Sequence, residues 1–147
     1  MADARETENT VTKLEHLYRY YGQTPWLDNL TRAALRDGTL ARMVADGIRG
    51  VTANPTIFAR SITGSHDYDE QFWALMAAGK SVNEAYWELV ISDASQALAV
   101  LRPVFDGGDC VDGFVSSKCL PNSLTTRTQR SPPRDGCASV SLNRTCS

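Results

Sequence analysis

Asp28 and Asn54 are the two polar side chains that follow short apolar runs in this sequence, "PWLD" and "VTANP". A carboxylate at the C-terminal end of a buried strand is suited to general acid/base work, and an amide at a neighbouring strand end is suited to holding a substrate oxygen. Each has a plainer reading. Asp28 is also a natural cap for a helix beginning near Thr31, and Asn54, extended by the following Pro55, is a natural turn residue. Both readings stay open on spacing alone.

Other groupings point away from chemistry. "HDYDE" holds His66, Asp67, Asp69 and Glu70, but one imidazole among carboxylates reads as a helix start with favourable dipole charges rather than a metal site. "DGGDCVDG", with Asp106, Asp109 and Asp112, lacks the terminal bidentate glutamate of a calcium loop and joins a helix to a strand. Cys110, Cys119, Cys137 and Cys146 contain no Cys-x-x-Cys pair, which argues against both zinc and a disulfide framework. There is no Gly-rich phosphate loop. The expected metal set is therefore none.

The elements that position Asp28 and Asn54 follow from hydrophobic period and breakers. Val11, Leu14, Leu17, Tyr18 and Tyr21 recur at helical spacing, and Gly22 stops the helix. "TPWLDNL" predicts a strand ending at Asp28 and buried on both faces. "TRAALRDGTLARMVADG" predicts two helices broken at Asp37 and Gly38, and "IRGVTANP" a second strand. Next come a short helix in "TIFARSI", a helix in "YDEQFWALMAAG" closed by Gly79, and an amphipathic helix from Ser81 to Leu101 stopped by Pro103. "VDGFVS" is the third strand. Alternating strands and helices make an α/β protein with a parallel sheet, because parallel neighbours need crossover connections.

Charge and composition divide the chain near Ser117. Residues 1–117 carry a net charge of −6 and residues 118–147 a net charge of +4. The second segment has no Phe, Trp or Tyr and is rich in Ser, Thr and Pro, too little apolar surface to offset backbone ordering, so 118–147 is expected to be disordered. No run approaches the roughly 20 apolar residues of a membrane span, and the acidic balance gives no reason to expect nucleic acid. "MADARETENT" lacks the features of a secretory signal, which makes the cytoplasm the expected compartment.

"GQTPWLDNLTR", "DGIRGVTANPTIF", "YDEQ", "AYWELVISD" and "DGFVS", in that order, resemble the amino-terminal part of bacterial transaldolase, in the branch found in actinobacteria and related groups. The resemblance implies the first three βα units of a (β/α)8 TIM barrel, incomplete within 1–117. It implies an enzyme of the pentose phosphate pathway that moves a dihydroxyacetone unit from sedoheptulose 7-phosphate to glyceraldehyde 3-phosphate through a lysine Schiff base. It implies sugar phosphate substrates and no metal or organic cofactor. On this resemblance Asp28 is the first-strand acid/base, and Asn54 binds the dihydroxyacetone moiety. The related fructose 6-phosphate aldolases fit less well, given the helical length between Thr56 and Pro103.

The same resemblance sets out what this chain departs from. The family's third strand continues into Glu-Val-Ser-Pro, where this chain has Lys118 and Cys119. The fourth-strand Val-Lys-Ile-Pro motif that carries the Schiff-base lysine has no counterpart in the chain. Codons can be assigned to the tail such that one base restored after Ser116 yields "SVEVSPELAHDTDAT", the family's expected continuation. Residues 118–147 are thus expected to be a frameshift product and the chain inactive as written. The rival expectation is a non-catalytic interaction protein with an acidic α/β part and a basic tail.

Overall fold

Four helices start at a residue whose own side chain caps them: Thr12, Thr31, Asn54 and Ser81. The computed structural model describes residues 11–108 and 111–117. The readings made of residues 118–147, of Asp109 and of Cys110, Cys119, Cys137 and Cys146 lie outside the described residues.

Helix α1 (Lys13–Tyr21) starts at Thr12, whose hydroxyl accepts the Glu15 N–H at 3.1 Å, and ends at Gly22, which adopts φ 61°. Strand β1 (Trp26–Leu27) follows, then α2 (Arg32–Arg36) and α3 (Thr39–Ala45), broken at Asp37 and Gly38 as expected. Strand β2 (Gly50–Ala53) leads into α4 (Pro55–Gly64), a 3-10 turn (His66–Tyr68) and α5 (Asp69–Ala77). The long α6 (Val82–Gly107) precedes β3 (Phe114–Ser117). The three strands form a parallel sheet in the order β1-β2-β3.

One face of that sheet carries the core. Val51, Ala53 and Val115 are buried against Leu30, Leu40, Phe58 and, on α6, Val90, Ala94, Ala97 and Leu101. Burying a Val or Leu side chain contributes roughly 1.5–3 kcal/mol, so this layer dominates the sheet's attachment to its helices. The other face is not covered among the described residues: Trp26 is 38% exposed, where burial on both faces was expected.

Two boundaries differ by three residues or more from the sequence expectation. Helix α6 runs through Pro103 to Gly107 instead of stopping before it. Proline removes one backbone donor, but Leu101 and Phe105 are both buried on the same stripe, and their packing on either side of the exposed Pro103 carries the helix onward. Strand β3 begins at Phe114 rather than Val111, because Gly113 turns at φ 85° and Asp112 is drawn into an ion pair with Arg49 at 2.7 Å.

Arg49 also levels the bases of the strands. Its N–H donates to the Pro25 carbonyl and its own carbonyl accepts the Gly113 N–H, both at 2.8 Å. Its guanidinium lies 3.6 Å from the centroid of the Tyr18 ring. One residue thereby joins α1 to the entry points of all three strands.

Candidate active site

The register determines which side chains share the open face. Leu27 pairs with Val51, and Val51 with Val115. Successive strand residues face opposite ways, so Trp26, Gly50, Thr52 and Ser116 lie on the face away from the core. Thr52 pairs with Ser116, and Asp28, one residue beyond Leu27, comes level with Thr52. At the C-terminal edge of the sheet this makes a polar row: Asp28, Thr52, Ser116.

Asp28 is exposed, and its Oδ1 accepts a hydrogen bond from the Thr52 hydroxyl. It does not cap α2. That position belongs to Thr31, whose hydroxyl accepts the Ala34 N–H at 3.3 Å. The capping reading of Asp28 is therefore wrong, because Thr31 stands directly before the helix and holds its N-terminal donor. Among the described residues no Lys or Arg forms an ion pair with Asp28.

Asn54 stands at the strand end with an extended backbone, and it is a helix cap rather than the turn residue of its plainer reading. It is the N-cap of α4, its Oδ1 accepting the Thr56 N–H at 3.0 Å. The oxygen is committed to the cap, and among the described residues Nδ2 has no hydrogen-bond partner. Pro55 at the first helical position needs no donor partner there. Asp28 and Asn54 thus stand at the C-terminal ends of adjacent parallel strands, the position from which α/β barrels present catalytic side chains.

Below the polar row the open face is filled by Trp26. A Cβ built on Gly50 would lie 2.5 Å from Cε2 of that indole, so only glycine lets the ring cross β2. Sequence reading missed Thr52. The signal for Thr52 was its parity with Asn54 on the same strand.

The remaining acidic groupings are structural. Among the described residues no three His, Cys, Asp or Glu side chains are grouped to hold a metal ion. His66 Nδ1 lies 2.7 Å from Asp69 Oδ2, and this neighbouring carboxylate raises the imidazole pKa above its ordinary value. Ser65 caps the 3-10 turn that begins at His66, its hydroxyl accepting the Asp67 N–H at 3.0 Å. Asp106 pairs with Arg102 on the exposed side of α6.

The model of the transaldolase/fructose-6-phosphate aldolase family matches residues 25–130. The chain belongs to that family. The match includes Asp28 and Asn54 and continues past Ser117. Curated relatives agree. The chain is 40% identical over 104 residues to "Transaldolase 2" of Nostoc punctiforme, covering 70% of this chain and 27% of that protein. It is 43% identical over 101 residues to a transaldolase of Thiobacillus denitrificans, covering 68% of this chain and 28% of the relative. With a transaldolase of Acidothermus cellulolyticus the identity is 44% over 101 residues, 68% of this chain and 27% of the other. The chain spans a little over a quarter of the length of these relatives. These similarities do not favour the interaction-protein reading. Among the described residues no helix is long and apolar enough to cross a membrane.

Proposed function

We propose that residues 1–117 supply the first three βα units of a transaldolase barrel, in which Asp28 moves the proton of the hydroxyl at the bond being broken and Asn54 holds the dihydroxyacetone unit. The observation that carries this reading is the position of Asp28: at a parallel strand end, exposed, and relieved of capping by Thr31. A free carboxylate there is available to a substrate, and the Asn54 amide stands at the end of the adjacent strand. The reaction class is transfer of a three-carbon ketose unit between sugar phosphates through an iminium on a lysine, in the cytoplasmic pentose phosphate pathway.

Among the described residues no lysine is placed to form that iminium. The chain's lysines are Lys13, Lys80 and Lys118, the last of them outside the described residues. Lys13 is exposed at the start of α1, and Lys80 faces Glu88 at 3.5 Å. Neither has the desolvated strand position that lowers an amine's pKa enough to make it nucleophilic at neutral pH. We read 118–147 as the product of a one-base frameshift after Ser116, so that the lysine strand is encoded in the shifted frame and the chain as written is inactive.

Two measurements test this. Incubating the chain with fructose 6-phosphate and borohydride should leave no covalent adduct by mass spectrometry, and a stoichiometric adduct on any of the three lysines contradicts the reading. Resequencing the DNA across codon 117 should reveal a continued transaldolase frame, and restoring it should restore transfer. In the restored enzyme Asp28→Ala should lower turnover about 10²-fold or more with KM changed far less, the scale of a positioned acid/base. Unchanged turnover in a folded Asp28→Ala enzyme would falsify the assignment.

A further inference from the structure

We propose that Thr52 is the positioning residue of Asp28: its hydroxyl holds one carboxylate oxygen and leaves the other free for the proton-transfer step. The inference rests on the acid/base reading of Asp28 for its catalytic meaning, but its geometric content stands by itself.

Backbone register comes first. The Leu27–Val51 pair brings Asp28 level with Thr52 on the face turned away from the core, so the two side chains are cross-strand neighbours. Such neighbours have Cβ atoms about 5 Å apart, within reach of a hydroxyl–carboxylate bond. The bond between Thr52 Oγ1 and Asp28 Oδ1 uses that adjacency. Threonine suits the task because its β-branched side chain has few χ1 choices on a strand, so its hydroxyl is aimed before substrate arrives. A hydroxyl donating to an ionised carboxylate is a charge-assisted bond, stronger than a neutral one.

The surroundings leave Asp28 little other support. Among the described residues no basic side chain pairs with it, and Thr31 rather than Asp28 holds the α2 terminus. On the N-terminal side the Trp26 indole lies across Gly50 on the same face and closes off the space toward the strand bases. Among the described residues the carboxylate therefore has one hydrogen bond, through Oδ1.

The experiment reads side-chain order directly. In the full 147-residue chain, uniformly labelled with ¹³C and ¹⁵N, the scalar couplings about Asp28 χ1 should report a single rotamer. Thr52→Val keeps the shape and removes the hydroxyl, and the couplings should then average between rotamers; Thr52→Ser should return them to the single-rotamer values. An averaged Asp28 in the parent chain, or one unaffected by Thr52→Val, overturns the proposal. In the frame-restored enzyme Thr52→Val should lower kcat about tenfold with KM little changed, the effect of losing one hydrogen bond to a charged group, and Thr52→Ser should recover most of it. A strong Asp28→Ala defect beside an undiminished Thr52→Val enzyme defeats the positioning role alone. An Asp28→Ala enzyme that turns over normally defeats the acid/base reading, while the couplings still decide whether Thr52 orders the carboxylate.

Discussion

Two aspartates, one under the helices and one at the strand ends, carry the same functional group into opposite surroundings. Asp93 on α6 is fully buried. Its Oδ1 accepts from Arg32 Nε at 2.7 Å and its Oδ2 from the Tyr68 hydroxyl at 3.0 Å. Arg32 Nη2 is also 2.7 Å from Oδ1, though out of hydrogen-bond alignment, and the guanidinium lies over the Tyr68 ring. Burial first, then the Asp93 charge, pushes the Tyr68 phenol up to about 12, so this hydroxyl stays a donor throughout the physiological range. Asp28 has one hydroxyl and open space. The first arrangement spends every oxygen on internal partners and ties α2, the 3-10 turn and α6 together. The second keeps an oxygen in reserve, which a group that exchanges protons with a substrate requires.

That contrast can be broken most forcefully at Asp93. Asp93→Ala strands the buried Arg32 charge and should cost about 3 kcal/mol or more, seen as a lowered urea midpoint of the full chain. Replacing Arg32 and Asp93 together by leucine should recover much of that loss. Asp28→Ala, at an exposed site, should change the same midpoint by less than about 0.5 kcal/mol. Equal losses at the two positions would erase the distinction drawn between them.

Asn54 sharpens the comparison, since it caps α4 and is proposed to hold the substrate as well. Asn54→Ala removes the α4 cap and should lower stability by about 1 kcal/mol, whereas Asn54→Asp keeps an acceptor for the Thr56 N–H and should stay near the parent. In the restored enzyme both should weaken ketose binding, because both remove Nδ2. A normal KM in Asn54→Asp would leave Asn54 as a cap and nothing more.

The smallest effect is expected at Glu84, an exposed carboxylate in a capping box with Ser81. The Ser81 backbone N–H, then its hydroxyl, lower the Glu84 pKa. A depressed folded-state pKa gives stability that is present above the ordinary glutamate range and is lost as pH falls through the depressed value. Glu84→Gln should flatten that acid limb slightly in thermal melts recorded as a function of pH, leaving the midpoint at neutral pH close to the parent's. An unaltered acid limb would remove the ionised cap from the account.

Local devices were legible from residues close together in the chain. Gly22 stopping α1 and the Asp37–Gly38 break both act within one turn, and the structure has each of them. Asp28 and Asn54 were legible as strand-end residues for the same reason. What stayed hidden needed partners far away in sequence. Asp93 sits in "ISDAS" with nothing nearby to mark it as the partner of Arg32, and a solvated helix face would read the same. Thr52 was passed over because its significance comes from the neighbouring strand. Pro103 misled because a local helix breaker was weighed without the packing of Leu101 and Phe105 around it.

Arg49 gives the three strands a common starting line, and parallel strands advance about 3.3 Å with each residue. From that line to Asp28, Thr52 and Ser116 the path is three residues on each strand, too short to absorb an error in alignment. A slip of one residue at the base would turn Thr52 toward the helices and bring Val51 beside Asp28, exchanging a hydroxyl for a hydrocarbon. The clamp of Pro25, Gly113, Asp112 and Tyr18 around Arg49 therefore acts at a distance as a gauge block: it sets the height at which polar groups emerge on the opposite rim, without touching any of them.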